Sequence, residues 1–201
     1  GLDLVQTAPN VTYEILLNDK KTIRVSNPAQ VPDPGRIQEF REPIVRTRII
    51  IPADAIGPVM LLAEERRGKF VRSDYLGADR MMHIFDMPLA EIVFDFFDRL
   101  KSVTKGYGTM DYDDPTYAAE DLVKMDVLVN GEPVDALSTV CHRSEADRRG
   151  RSLLVRLKEE IPRHMFEIPL QAAVGMKVLA RETIKAMAKN VTAKCYGGDI
   201  T

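Results

Sequence analysis

The sequence predicts an α+β protein with two main domains, a ferredoxin-like domain followed by a domain in which a mixed antiparallel sheet packs with helices. Over residues 41–115, alternating apolar segments and segments of helical spacing follow one another in the order βαββαβ. Further strands and helices follow residue 115, and a short hairpin precedes residue 41. We therefore predict domains over 1–40, 41–115 and 116–201.

The first 40 residues are expected to be the remnant of an upstream domain, a partial β-hairpin, joined to a linker. Residues 11–17 and 22–25 are predicted strands around the turn residues Asn18-Asp19, and a proline-rich stretch follows from Asn27 to Gly35. A hairpin of this size cannot bury a core by itself. The sequence also starts without a Met or a helix cap, so we expect a fragment of a longer chain.

Residues 41–115 contain the regular pattern of the ferredoxin-like domain. A strand ends at Pro52, and the next helix ends before Gly68, a typical C-terminal helix residue. A second helix is predicted to begin at Pro88 and to continue without interruption to Gly106. The remaining predicted strands are Phe70–Tyr75, Met81–Met87 and Tyr107–Tyr112.

The last domain is predicted to open with a hairpin and to end with a helix. Asn130-Gly131 separates two predicted strands, and Ser144 is the expected N-cap of a long helix that Pro162 closes. The Asn-Gly turn is followed by a predicted strand over Pro133–Val140. After the long helix we predict strands over Phe166–Val174 and Met176–Ala180 and a final helix over Glu182–Lys189.

The sequence shows no familiar catalytic pattern. It has neither a phosphate-binding loop nor a G-x-S-x-G elbow. Cys141, His142, His164 and Cys195 do not have the spacing of zinc ligands, and Cys141 and His142 should point to opposite faces of a strand. We therefore predict no catalytic residue, no metal site and no cofactor in this chain, with a thiol or zinc enzyme as the alternative.

Positive charge is concentrated in the last third of the chain. Residues 1–140 hold 16 Lys/Arg against 23 Asp/Glu, a balance of −7, whereas residues 141–201 hold 12 against 7, a balance of +5. Arginines crowd the start of the predicted long helix, where the helix dipole disfavours cations unless an anion lies nearby. Arg181, Lys185 and Lys189 would form one stripe on the final helix. This pattern indicates phosphate contact, and an ordinary solvated surface is the alternative.

Sequence motifs also point to a known family. Pro52-x4-Gly57-x-Val59, Arg66-Arg67-Gly68, Pro88-Leu89-Ala90-Glu91 and Ser102-x-Thr104-x-Gly106 resemble the fifth domain of elongation factor G and related translational GTPases. The runs "DFFDRLKSVTKGY", "DLVKMDVLVNGEPVDAL", "RGR", "IPRHMFE", "QAAVG" and "AKCYGGD" cover the rest of the C-terminal part. They are similar to the elongation factor 4 (LepA) family, and residues 1–17 resemble the end of that family's third domain.

The resemblance implies a function and partners. The intact protein would be a ribosome-dependent GTPase that binds GTP and Mg²⁺ in a domain outside this chain. Its family is linked to moving tRNAs backwards by one codon and to translational fidelity, with initiation and ribosome assembly as alternative roles. The fragment would be monomeric and cytoplasmic, and would contact ribosomal RNA, tRNA and the cytoplasmic side of the membrane. The implied RNA-binding residues are Arg143, Arg148, Arg149, Arg151, Arg163, Lys185, Lys189, Lys194 and Tyr196. The alternative is a protein-interaction module of another factor, such as a BipA-type GTPase.

Overall fold

The computed structural model describes residues 11–188, and the chain divides between Asp121 and Leu122 into two compact units. We call residues 11–121 the first unit and residues 122–188 the second unit. The α+β class and the antiparallel sheets of both units confirm the predicted fold class. The three-part division at residues 40 and 115 stays a prediction.

The first unit is organised on one long strand. Its elements are β1 (Tyr13–Leu17), β2 (Thr22–Val25), β3 (Ile37–Pro52), α1 (Ile56–Glu65), β4 (Lys69–Gly77), β5 (Arg80–Pro88), α2 (Leu89–Ile92), α3 (Phe96–Val103), β6 (Thr109–Tyr112) and β7 (Thr116–Ala119). The first part of β3 pairs with β1 and β7, and the second part pairs with β5 and β6. The N-terminal hairpin therefore continues the same sheet through β3.

The second part of β3 belongs to the predicted ferredoxin-like arrangement. The strands β6, β3, β5 and β4 lie in that order and are all antiparallel. Apolar residues that alternate along β3 and β5 form one core with the inner faces of α1 and α3. The fully buried members of this core include Val45, Ile49, Ile51, Val59, Ala63, Met87, Phe96 and Leu100.

The second unit is a sheet with one long helix. Its elements are β8 (Leu122–Val129), β9 (Glu132–Pro133), β10 (Thr139–His142), α4 (Arg143–Glu160), β11 (Ile168–Val174) and β12 (Lys177–Ile184). The strands lie in the order β10, β8, β11, β12, and β9 is a short addition to β8. Gly150 allows α4 to approach the sheet closely, because a Cβ there would lie 3.1 Å from the Cβ of Ala172.

The helix predicted from Pro88 to Gly106 is interrupted in the structure. Pro88 caps α2, and α3 begins only at Phe96. Arg66 donates to the carbonyl oxygen of Glu91 at 3.4 Å and to the carboxylate of Asp95 at 2.7 Å. The turn between the two helices contains Val93 and Phe94, and because β-branched and aromatic residues favour helix less than Ala or Leu, the helix is weakest there.

The strand predicted over Pro133–Val140 is also wrong as one element. After the Asn130-Gly131 turn, which has positive φ at both residues as predicted for this dipeptide, only two residues pair with β8. A 3-10 turn over Asp135–Leu137 follows, and pairing resumes in β10. Pro133 has no N–H to donate to the ladder, so the strand stops there.

The predicted final helix over Glu182–Lys189 is wrong within the described residues. β12 continues through Ile184, where it pairs with Ile168 of β11, and residues 185–188 are not helical. β-Branched Thr183 and Ile184 fit a strand, and Ile184 is buried in the core of the second unit. Tertiary pairing with β11 therefore outweighs the helical spacing of the cations in this segment.

Candidate nucleic-acid interface

The helix α4 carries most of the predicted RNA-binding arginines. It begins at Arg143, and its N-cap is His142 rather than the predicted Ser144. The imidazole Nδ1 of His142 accepts the backbone N–H of Ser144 at 3.2 Å, and the Ser144 hydroxyl lies 2.7 Å from the same nitrogen. His142 is both the last residue of β10 and the N-cap of α4, which explains why the helix starts at Arg143, one residue before Ser144.

The buried face of α4 determines where its arginines point. Ala146, Gly150 and Leu154 are buried against the sheet at intervals of four residues. At about 100° per residue, Arg148 lies on the opposite, outer face. Arg149 and Arg151 lie on the two flanks, roughly 160° apart around the helix axis. The arginines predicted as one cluster are therefore spread over three sides of the helix.

Arg151 shares a shallow groove with the edge strand β12. The groove runs between α4 and β12 and is lined by Leu154, Val155, Leu179 and Ala180, with Arg151 and Arg181 among its polar residues. Farther along, Lys158 of α4 binds Glu182 of β12 at 3.1 Å. Arg181 was assigned to a helix in the sequence, but it reaches the neighbourhood of Arg151 because it lies on a strand.

Arg163 and Lys185 lie at the other end of the second unit. Arg163 follows the C-terminus of α4, and Lys185 follows the end of β12. Since 18 helical residues rise about 27 Å, these two cations lie far from Arg143. The structure thus separates the predicted residues into a group along α4 and a pair at its far end. Lys189, Lys194 and Tyr196 lie outside the described residues.

The cations of the second unit are mostly without ion-pair partners. Arg148 pairs with Glu145 one turn earlier, and Lys124 pairs with Asp126. Within residues 11–188, no ion pair and no side-chain hydrogen bond involve six exposed cations. They are Arg151, Arg156, Arg163, Lys177, Arg181 and Lys185. Arg156 was missed in the sequence, although it follows Arg149 by seven residues and therefore lies on the same flank of α4.

Most arginines of the first unit, in contrast, form ion pairs with carboxylates of the same unit. Arg46 binds Asp86 through two hydrogen bonds of 3.0 Å, which raise the pKa of Arg46 above its ordinary value. Arg48 contacts Asp111 at 2.6 Å and Asp113 at 2.9 Å. The hydrogen bond from Arg48 lowers the pKa of Asp113. The acidic connector at Asp113 therefore acts as the partner of a strand arginine.

One ion-pair cluster of the first unit is buried. Glu42 is 2% exposed and accepts two hydrogen bonds of 2.9 Å from Arg67, which also lies 3.6 Å from Glu91. Burial by itself would lower the pKa of Arg67, but the hydrogen bonds and charge of Glu42 outweigh it and raise that pKa. This cluster joins the end of α1 to β3 and α2, so its role is structural.

The cysteine and histidine that the sequence places next to each other have different surroundings in the structure. Cys141 is buried in the core of the second unit, whereas His142 caps α4. No three His, Cys, Asp or Glu side chains of residues 11–188 are arranged to hold a metal ion. Over the same residues, no helix is both long enough and apolar enough to cross a membrane.

Comparison with known proteins identifies similar sequences for both units. Residues 39–128 match the family model described as elongation factor G C-terminus, and residues 129–201 match the model described as GTP-binding protein LepA C-terminus. Similar proteins are elongation factor 4 1 of Rhodopirellula baltica (58% identity over 200 residues), elongation factor 4 of Lacticaseibacillus casei (54% over 200) and elongation factor 4 of Lactococcus lactis subsp. lactis (52% over 201). Each alignment covers the whole of this chain but only 33% of the relative.

Proposed function

Since this chain belongs to the elongation factor 4 (LepA) family and corresponds to the C-terminal part of its relatives, we propose that it is the RNA-contacting part of a ribosome-associated translation factor. The similar proteins named above are all elongation factor 4 proteins, which favours this function over a BipA-type interaction module.

The observation that carries the proposal is the set of exposed, unpaired cations in the second unit. A cation without a partner can replace the counterions of a phosphate, and each replacement adds to affinity for RNA in a salt-dependent way. Arg151 and Arg181 line one groove, so two phosphates of one backbone could be bound side by side there. The chain would therefore position RNA by charge and shape, without chemistry of its own.

The proposal extends to the activity of the whole translation factor. A domain outside this chain binds GTP and Mg²⁺ and hydrolyses GTP on the ribosome. The second unit contacts tRNA while the factor moves tRNAs back by one codon in the cytoplasm. These steps rest on family membership alone, and the peripheral membrane contact stays an expectation from the resemblance.

Co-sedimentation with ribosomes tests the proposal. The chain should pellet with ribosomes at about 0.1 M salt and much less at about 0.5 M, because phosphate contacts weaken with salt. The double variant Arg149→Glu/Arg151→Glu should pellet less at the lower salt, with a salt slope that is smaller by about 0.7–0.9 for each lost phosphate contact.

The matched control is Arg36→Glu/Arg99→Glu, which makes the same charge change at two exposed arginines of the first unit. It should retain more binding than the variant on α4. Equal losses in the two folded variants would show that only net charge matters. Wild-type binding by the α4 variant would exclude this helix from the interface.

A further inference from the structure

The loop between α4 and β11 exposes an unusual group of apolar side chains. Met165 is 76% exposed and Phe166 is 79% exposed, and Met187, just after β12, is 53% exposed. Single exposed apolar residues are normal on a protein surface. Here, however, Met165 and Phe166 are consecutive residues of one loop. A backbone hydrogen bond ties Met187 to the same loop.

The backbone holds this loop in place. The N–H of Ile161 donates to the carbonyl oxygen of Leu157 at 2.9 Å and ends α4, and Pro162 follows. The N–H of Met187 then donates to the carbonyl oxygen of His164 at 2.8 Å, which ties the loop to the segment after β12. Phe166 lies two residues before Ile168, the buried first residue of β11. The ring is therefore presented from a fixed backbone.

Cations accompany the exposed ring. Arg163 belongs to the same loop, and Lys185 precedes Met187 on the segment that is hydrogen-bonded to it. Both are exposed and have no ion pair within the described residues, while Glu167 is the one carboxylate of residues 161–167. An exposed ring in one loop with an unpaired cation, and a second cation on the segment hydrogen-bonded to that loop, is a combination suited to single-stranded nucleic acid, where bases stack on rings and phosphates bind cations.

We propose that Phe166 stacks on an unstacked base of single-stranded RNA while Arg163 and Lys185 bind the adjoining phosphates. This deepens the proposed function, on which it rests, because it adds a base-contacting surface at the C-terminal end of α4 to the phosphate-contacting arginines along that helix. Methionines 165 and 187 would cover the edges of the base.

The test uses the 201-residue chain and a short single-stranded RNA that carries 2-aminopurine, whose fluorescence falls when the base stacks on a ring. Phe166→Leu keeps an apolar side chain but removes the ring, whereas Phe166→Tyr keeps the ring. We expect quenching with the wild type and with the Tyr variant. The Leu variant should lose quenching and bind roughly 5- to 150-fold more weakly.

Salt dependence separates the ring from the cations. Phe166→Leu should keep the wild-type salt slope, whereas Arg163→Gln should lower it by about 0.7. Ribosome pelleting of the same variants tests the proposed function independently. If the wild-type chain pellets with ribosomes but does not quench 2-aminopurine, the proposal that Phe166 stacks on a base is overturned and the proposed function stands.

Two further results would also overturn the base-stacking proposal alone, and a third would reject both proposals. Equal RNA affinity of Phe166→Leu and wild type would mean that the residue contacts only apolar surface, such as a protein partner. Binding of the wild-type chain to phospholipid vesicles that is abolished by Phe166→Leu, without an effect on RNA, would assign the loop to a membrane. Loss of both ribosome pelleting and quenching in the wild type would reject both proposals.

Discussion

The two units use arginine in opposite ways. In the first unit, seven of ten arginines form ion pairs with carboxylates of the same unit: Arg24, Arg41, Arg46, Arg48, Arg66, Arg67 and Arg72. In the second unit, four of seven arginines are exposed and have no ion pair within the described residues: Arg151, Arg156, Arg163 and Arg181. The net charges of the two units differ by only six. Residues 11–121 hold 15 Lys/Arg against 19 Asp/Glu, a balance of −4, and residues 122–188 hold 11 against 9, a balance of +2.

This difference shows that pairing, more than charge count, decides which arginines can bind a phosphate. An arginine that already donates to a carboxylate has its charge partly neutralised and fewer N–H donors left for a phosphate. An unpaired, exposed arginine gives up only water and counterions. The sheet arginines of the first unit are therefore expected to stabilise that unit, and the arginines of the second unit to bind.

The largest expected effect concerns the buried pair of the first unit. Arg67→Met would leave Glu42 buried without its partner, so the free energy of unfolding of the first unit should fall by about 3–5 kcal/mol. Urea unfolding followed by hydrogen exchange would measure the two units separately. Arg72→Met, which removes an exposed pair with Asp74, is the control and should change stability by at most about 1 kcal/mol. Equal losses in both variants would contradict the structural role assigned to Arg67.

The next effect compares paired and unpaired arginines directly. Arg151→Gln/Arg181→Gln should weaken binding to ribosomal RNA fragments by roughly tenfold, since two phosphate contacts are lost. Arg46→Gln/Arg48→Gln removes the same charge from the first unit and should change RNA affinity by less than about twofold. A filter-binding titration at one salt concentration would measure the RNA affinity of both variants and the wild type. A larger loss in the Arg46/Arg48 variant would reverse the assigned roles of the two units.

The smallest expected effect is a pH dependence confined to the first unit. His83 is buried beside the rings of Phe70 and Phe85, with Ser73 at its Nδ1 and no partner at Nε2 within the described residues. Burial lowers the pKa of His83 below its ordinary value near 6.5. The unfolded chain therefore binds a proton more readily than the folded one, and the stability present above pH 6.5 should fall as the pH drops.

Hydrogen exchange at a series of pH values would detect this loss. In His83→Gln the first unit should lose this part of its pH dependence, while hydrogen exchange in the second unit should be the same in the variant and the wild type at each pH. A pH dependence that survives the substitution would have to come from a carboxylate instead.

Periodicity and turn chemistry predicted most of the framework. The order βαββαβ, the Asn130-Gly131 turn and the long helix closed before Pro162 are local features of the sequence, and the structure confirms them. The interruption of the second helix was not predicted, and the contacts that Arg66 makes there, to Glu91 and Asp95, join residues 25 and 29 positions apart. The candidate site was predicted as cations of the long helix and of the segments after it, but the separation of Arg163 and Lys185 from the arginines along α4 was not predicted.

By itself, the sequence determined the fold class, the family and the surplus of cations in the C-terminal third, because each depends on residue types and their spacing along the chain. Tertiary structure decided the rest. It placed Arg181 on an edge strand beside Arg151, because pairing between β11 and β12 outweighs the helical preference of one short segment. It also determined which arginines are free to bind, since an ion pair such as Arg67–Glu42 joins residues 25 positions apart that only folding brings together.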